Sequence, residues 1–127
     1  MKKLLTILLT ATLLLLPISC TNTNTPEAVT EKFVTSLANA DYKQAKKYIT
    51  ETSSDFIDWC ELIADKDEEG NPKKEEFKYK HINTEISEDG QHARVTFKNE
   101  AKPEEHEDTV DLSKKDGKWL VDFDNYE

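Results

Sequence analysis

Cysteine, histidine and basic residues are scarce in this 127-residue chain, and their scarcity excludes several functions. The chain has two cysteines, three histidines, and 17 basic against 26 acidic residues. Two cysteines cannot form the dense disulfide framework of a small secreted scaffold. No histidine pair has the spacing of a helical metal motif such as HExxH, and no basic stripe is present to neutralise nucleic-acid phosphates. We therefore expect no cofactor and no nucleic-acid partner.

The first 19 residues have the composition of a secretory signal peptide. Lys2 and Lys3 form a positive segment, and the run 4–16 (LLTILLTATLLLL) is apolar. This run is too short to span a bilayer, which takes about 20 apolar residues. A segment of this kind is removed after export and takes no part in the fold. We therefore assign residues 1–19 to a cleaved leader.

The residues around the predicted cleavage point, LPISC, resemble the lipobox of bacterial lipoproteins. In a lipobox an apolar stretch and a small residue precede a cysteine, and here these are Ser19 and Cys20. The resemblance implies that Cys20 is linked to diacylglycerol, becomes the new N-terminus and is acylated. Pro17 stands where leucine is usual. The sequence leaves one alternative open, a soluble secreted protein that is cleaved near Ser19.

Residues 20–25 (CTNTNT) are predicted to be the lipidated cysteine and a polar tether. Thr21 rather than aspartate follows the cysteine, so the inner-membrane retention signal is absent, and no acidic export tag adjoins it. By resemblance to Gram-negative lipoproteins, we expect an anchor in the outer membrane, facing the periplasm. Without Lys2 and Lys3, 15 basic residues oppose 26 acidic ones, a formal net charge of −11. Because anionic membranes repel such a chain, the lipid on Cys20 must provide the membrane attachment.

The segment 26–64 has the apolar periodicity of three helices. Thr25 is the predicted N-cap of the first helix, and Pro26 is its first residue. Asp41 is the predicted N-cap of the second helix, over 41–50 (DYKQAKKYIT). The apolar residues of the third helix are Phe56, Ile57, Trp59, Cys60, Ile63 and Ala64. We expect these apolar residues, Cys60 included, to lie in the core.

From residue 77 onward the apolar period changes to two, which indicates strands. In FKYKHINTEI, Phe77 and Tyr79 have one parity and Ile82 and Ile86 have the other, which predicts a bulge or bend. Turns are predicted at Glu88-Asp89-Gly90, near Lys102-Pro103-Glu104 and at Asp116-Gly117. Helices followed by an antiparallel meander of about four strands define an α+β class.

Two segments resemble small nuclear-transport-factor-2-like domains, which have a cystatin-like fold. PEAVTEKFVTSLANADYKQAKKYIT (26–50) is similar to their opening helices, and DGKWLVDF (116–123) is similar to their Asp-Gly-x-Trp-x-Val ending. The resemblance implies that residues 26–127 form helices packed on a curved antiparallel sheet, often with a pocket between them. It also implies frequent dimerisation through the sheet. It implies no activity, because one fold hosts many functions.

The titratable residues are weak candidates for catalysis. A carboxylate base needs an apolar surrounding to raise its pKa, and no carboxylate of this sequence is isolated in that way. Asp41 is better explained as a helix cap. Asp122 alternates outward in the last strand, so we expect it to be solvated or near a dimer face. Cys60 is expected to be a buried hydrophobe rather than a reactive thiol. His81 is placed to face a cavity from its strand, whereas His92 and His106 have no metal-ligand spacing.

The acidic stretch 65–76 (DKDEEGNPKKEE) resembles the calcium-binding loop of an EF-hand. The residues at loop positions 1, 3, 5, 6 and 12 are Asp65, Asp67, Glu69, Gly70 and Glu76. Position 5 is usually Asp or Asn, Pro72 stands where an apolar residue is usual, and a strand is predicted to follow instead of a helix. We therefore favour a solvated connection over a metal site. Calcium binding by these carboxylates is left open.

Sequence and resemblance together predict a lipid-anchored envelope domain that binds a small ligand or an envelope protein and has no catalytic residue. The alternative is a small isomerase or hydrolase-type enzyme that uses the cavity of the cone, and a third option is a structural accessory subunit. A cone filled by side chains such as Phe33, Trp59, Tyr79 and Trp119 would argue against the enzyme. An exposed apolar face would favour an interaction module.

Overall fold

The computed structural model describes residues 23–102, 104 and 106–125, so the predicted leader and Cys20 lie outside the described residues. The helices come first and the strands follow. The elements are α1 (Pro26–Ala38), α2 (Tyr42–Ala45), α3 (Ser54–Ile63), β1 (Tyr79–Ile86), β2 (His92–Asn99), β3 (Asp108–Lys115) and β4 (Lys118–Val121). The predicted α+β class is confirmed. No helix within the described ranges is long and apolar enough to cross a membrane.

Helix α1 begins where the sequence predicts. Thr25 is its N-cap, because its Oγ1 accepts a hydrogen bond from the backbone N–H of Ala28. Pro26 occupies the first turn, where a missing N–H costs nothing. Val29 and Phe33 lie on the buried face of the helix, which packs on the sheet.

Helix α2 is shorter than the predicted segment 41–50. Asp41 caps it as expected, since its Oδ1 accepts the N–H of Gln44 over 3.1 Å. After a 3₁₀ turn, the backbone becomes extended at Ile49 and pairs with Val121 of β4. This pairing ends the helical segment early and ties the helical layer to the edge of the sheet.

The four strands form one antiparallel sheet in the order β1-β2-β3-β4. The pairing of β1 with β2 shifts between His81 and Asn83, which confirms the predicted bulge. In the β3–β4 turn, Asp116 has φ 51° and Gly117 has φ 79°. A two-residue type I′ turn requires both values, and Asp-Gly is a preferred pair for it. Pro103, in the predicted middle turn, lies outside the described residues.

The core lies between the helices and the inner face of the sheet. The residues at most 1% exposed at its centre include Phe33, Ile57, Val95, Leu112 and Val121. Trp119 is also buried, and Tyr79 packs partly buried against the cluster. Side chains therefore fill the inside of the predicted cone at these positions. Trp59, which the sequence also places there, does not contribute.

Candidate interaction surface and sheet-face pocket

Helix α3 departs most from the sequence prediction. A core position was expected for its apolar residues, and within the helix only Ile57 is buried. The others are exposed: Phe56 by 39%, Trp59 by 54%, Ile63 by 57% and Leu62 by 78%. We call Phe56, Trp59, Leu62 and Ile63 the α3 stripe. The prediction that Phe56, Trp59 and Ile63 belong to the core is wrong, and the helix presents an apolar face to solvent.

The α3 stripe arises because α3 carries apolar residues on two opposite faces. Ile57 faces the core, whereas the stripe residues recur at three- and four-residue spacing on the other side. Phe56 packs on Phe123 with ring centroids 4.3 Å apart and on Trp59 at 6.1 Å. Phe123 in turn contacts Phe33 of the core at 5.9 Å. The stripe is therefore held by the core at Phe56 and becomes more exposed toward Leu62.

Acidic side chains border the α3 stripe. Asp55, Asp58 and Glu61 are exposed on the same helix. The only cation paired with them among the described residues is Lys46, whose Nζ lies 2.5 Å from Oδ1 of Asp58. The loop that follows α3 adds further exposed carboxylates, including Asp65. The surface around α3 is therefore apolar along the stripe and negatively charged on the side that carries these carboxylates.

Cys60 lies on α3 and is half-buried, not a core residue as predicted. Burial raises the pKa of its thiol. A raised pKa lowers the fraction of thiolate at neutral pH, and the thiolate is the nucleophilic form. The environment of Cys60 therefore disfavours a reactive role, as the sequence suggested.

A second feature is a depression of 460 Å³ on the outer face of the sheet, which is turned away from the helices. Glu85, Arg94 and Asp111 line one side of it. They lie in register across three strands, so their side chains share this face. Arg94 forms a bidentate pair with Asp111, with Nε–Oδ1 and Nη2–Oδ2 distances of 2.8 and 3.3 Å. His92 lines the other side together with Ile86, Ala93 and Leu112, so the lining is mixed polar and apolar and carries charges of both signs.

Asp122 is the second departure from the sequence prediction. It is 5% exposed and therefore not solvated. Its Oδ2 accepts a hydrogen bond from Oγ of Ser113 over 2.7 Å, and its Oδ1 accepts the N–H of Asp124 over 3.0 Å. Strand alternation places Asp122 on the outer face correctly, but its neighbours cover it there. Its carboxylate ties β3 to the C-terminal segment.

Ser113 connects Asp122 to the edge of the depression. Its Oγ lies 3.2 Å from Nδ1 of His92. The single hydroxyl proton of Ser113 is donated to Asp122, so Nδ1 of His92 must be the donor to Ser113. In a hydrolytic triad the histidine stands between the serine and the carboxylate, whereas here the serine does. Ser113 is 1% exposed, so no substrate reaches its hydroxyl.

The other titratable candidates are dispersed. The carboxylate of Asp41 is engaged as a helix cap. Nε2 of His81 lies 2.7 Å from Oγ1 of Thr84, which donates to Oε2 of Glu27 over 3.2 Å, and His106 is exposed. Across the described part of the chain, no group of three His, Cys, Asp or Glu side chains is placed to hold a metal ion.

The stretch that resembles an EF-hand loop closes on itself. Oδ1 of Asp67 accepts the N–H groups of Glu69 and Asn71, both over 2.9 Å, and Lys66 pairs with Pro72 in an isolated bridge. The predicted connection between a helix and a strand is confirmed, since β1 follows. Asp67 therefore accepts hydrogen bonds within its own turn, and the loop does not bring Asp65, Glu69 and Glu76 together around one point.

Asn24, in the predicted tether, is a residue whose role the sequence does not reveal. Its Nδ2 donates to the carbonyl of Gly117 over 2.8 Å, and its Oδ1 accepts the N–H of Trp119 over 2.9 Å. Strand β4 is an edge of the sheet, and unpaired edge groups need such partners. We call this pair of hydrogen bonds the Asn24 clamp. Nothing in the repetitive TNTNT pattern distinguishes Asn24 from its neighbours.

Comparison with known proteins first defines the class. A crystal structure of a candidate NTF2-like transpeptidase from Campylobacter jejuni has a similar fold, with a TM-score of 0.54 and 16% sequence identity over 77% of this chain and 97% of that chain. At this identity the similarity shows the fold alone, which is nuclear-transport-factor-2-like, as the resemblance implied. Residues 18–122 match the family described as a domain of unknown function, DUF4878. The chain belongs to this family. No curated protein matches it significantly.

Proposed function

We propose that this chain is a lipid-anchored domain of the cell envelope that binds a partner protein through the α3 stripe and catalyses no reaction. The observation that carries the proposal is the exposure of Trp59, Leu62 and Ile63 on one helical face. Contiguous exposed apolar side chains on a small domain mark an interaction site. Tryptophan is also among the residues that contribute most to binding energy at interfaces.

The filled interior supports a binding role over the alternative of an enzyme in the cone. Phe33, Leu112 and Val121 occupy the space between helices and sheet, where a substrate would need an open cavity. His92 lies on the opposite face of the sheet, and the buried Ser113 separates it from Asp122. This arrangement orients the imidazole but supplies no accessible nucleophile.

The charge around the α3 stripe indicates the chemistry of the partner. Asp55, Asp58 and Glu61 would repel a second acidic copy of the same helix, and they would also repel an anionic lipid surface. The surface instead suits an apolar groove with basic residues at its rim. Dimerisation through the sheet uses a different face and stays a separate prediction.

The anchor follows from the sequence context of Cys20. In this proposal residues 1–19 are removed, Cys20 carries the lipid, and residues 21–25 connect it to the domain. More than one acyl chain is needed for stable attachment, and acylation of the new N-terminus in addition to the diacylglycerol provides it. We place the anchored domain at the outer membrane, facing the periplasm, where an envelope protein is the available partner.

Site-specific cross-linking in living cells tests the proposal. A photoreactive amino acid is placed at Trp59 or Ile63, and the matched control is the same amino acid at Ile82, an exposed apolar residue of β1. We expect one cross-linked protein from positions 59 and 63 and none from position 82. Equal cross-linking at all three positions, or none at any, would overturn the proposal. A cross-link to a second copy of this chain would overturn the choice of partner.

A further inference from the structure

We propose that the Asn24 clamp makes the β3–β4 hairpin the membrane-facing end of the domain, with its lysines against the phosphate groups of the lipid bilayer. The inference rests on the lipid anchor at Cys20 proposed above. It adds an orientation and a second contact surface, neither of which the anchor alone specifies.

The Asn24 clamp fixes the point at which the polar tether leaves the domain. Both polar atoms of the Asn24 amide bind backbone groups of the β3–β4 hairpin, the carbonyl of Gly117 and the N–H of Trp119. Two residues later Pro26 starts α1, so the chain is held at Asn24 and again from Pro26 onward. The tether therefore leaves the domain beside the hairpin turn and at no other place.

The remaining distance to the lipid is short. Four residue steps separate Cys20 from Asn24, and a fully extended chain covers at most about 3.6 Å per residue, or roughly 14 Å in total. A lipidated Cys20 lies at the bilayer surface, so Asn24 and the adjoining Gly117 are held within that reach. The turn of the hairpin is therefore held close to the bilayer.

The charge of the hairpin suits this position. Lys115 and Lys118 are paired neighbours across the turn and are exposed, and Nζ of Lys114 lies 5.6 Å from the ring centre of Trp119. Within the described ranges, none of these lysines forms an ion pair. Asp116 is the acidic residue between them, while the neighbouring β1–β2 turn carries Glu88 and Asp89. Three lysines are thus grouped at this turn in a chain whose formal net charge is −11 once residues 1–19 are removed, and cationic side chains near a bilayer are attracted to anionic headgroups.

The orientation keeps the α3 stripe available for a protein partner. Strand β4 begins beside Gly117 and ends at Val121, and α3 packs through Phe56 on Phe123, beyond that far end. The membrane-facing hairpin and the proposed protein-binding helix therefore lie at opposite ends of β4. The acidic residues that border the stripe are then directed away from the anionic headgroups.

The test treats the full mature lipoprotein with a lysine-acylating reagent, once in detergent and once in vesicles of phosphatidylethanolamine and phosphatidylglycerol. Mass spectrometry gives the acylation rate of each lysine. We expect the rates at Lys115 and Lys118 to fall several-fold in vesicles, and those at Lys43 and Lys47, exposed near α2, to stay unchanged. The protection should weaken at high ionic strength, because salt screens the attraction.

Two variants separate the clamp from the anchor. Asn24→Ala should still float with vesicles but lose the selective protection of the hairpin, whereas Thr23→Ala should behave as the wild type. Protection that is equal at hairpin and α2 lysines in the wild type, or that survives in Asn24→Ala, would overturn the orientation. Failure of the wild-type protein to float with vesicles would instead overturn the lipid anchor, and the orientation with it.

Discussion

Ser113 donates a hydrogen bond from its buried hydroxyl to Oδ2 of Asp122 over 2.7 Å. The backbone N–H of Asp122 also donates to the carbonyl of Asp111 over 2.8 Å. A carboxylate removed from water needs hydrogen-bond donors. The bond from Ser113 supplies one of them, and it joins β3 to the segment that follows β4. The relationship is structural, and it explains why a serine and an aspartate are buried on the polar face of the sheet.

The first prediction concerns this pair. Ser113→Ala removes one hydrogen-bond donor from the buried carboxylate of Asp122, so the free energy of unfolding should fall by about 1.5–3 kcal/mol, the range for hydrogen bonds to charged groups. Ser87→Ala is the matched control, since Ser87 also donates to an aspartate, Asp89, but on the surface. It should change stability by less than about 0.5 kcal/mol. Urea denaturation of both variants measures the difference, and equal losses would refute the role given to Ser113.

The second prediction compares the two faces of α3. Ile57→Ala opens a cavity in the core and should lower the free energy of unfolding by about 2–5 kcal/mol. Leu62→Ala, five residues along the same helix and 78% exposed, should change it by less than about 0.5 kcal/mol. Thermal and urea unfolding of the two variants provide the measurement. A comparable loss at Leu62 would mean that the stripe is packed in the folded chain and is not a free surface.

The third prediction concerns pH. Burial, and then the nearby carboxylates of Glu31 and Glu27, raise the pKa of Tyr79 from 10.0 to about 12. Between pH 10 and about 12, Tyr79 therefore stays protonated in the folded chain and loses its proton in the unfolded chain. The resulting stabilisation is fully present below pH 10 and is lost as the pH rises toward 12.

Tyr79→Phe isolates this effect. The variant has no phenol at this position, so its stability should fall less than that of the wild type between pH 10 and about 12. A titration of phenolate absorbance should lose a component near pH 12 in the variant. Identical stability profiles of the two proteins over this range would contradict the assignment.

The fourth prediction concerns lipidation. Cells supplied with an alkyne analogue of palmitate should label the wild-type chain and the Cys60→Ser variant equally. Cys20→Ser should abolish both the label and the membrane fractionation. Cys60→Ser is the natural control, because it removes the other cysteine of the chain. Loss of label in Cys60→Ser alone, or labelling that survives in Cys20→Ser, would refute the anchor at Cys20.

The local signals of the sequence were sufficient to predict most of the fold. Thr25 and Asp41 are caps because a short polar side chain before an apolar period can accept a backbone N–H. The parity change in β1 required a bulge, and Asp116-Gly117 required a tight turn. Each of these features depends on residues a few positions apart, which is the range in which sequence patterns are informative.

The misplaced residues depend on contacts that are distant in sequence. Helix α3 carries apolar residues on two faces, and periodicity cannot decide which face meets the core, so Trp59 was placed inside. Asp122 is covered through Ser113, nine positions away in another strand. Asn24 finds its partners 93 and 95 residues away. Only the tertiary structure reveals these three relationships.

Whether the α3 stripe binds a partner protein is decided by the native mass of the protein extracted from cells in mild detergent. Wild-type protein and an Ile82→Asp/Ile86→Asp variant of β1 should both migrate in a complex with another protein. Leu62→Asp/Ile63→Asp should migrate as a folded single chain. A wild-type protein that migrates alone, or a complex that survives the α3 substitutions and is lost with the β1 substitutions, would contradict the claim.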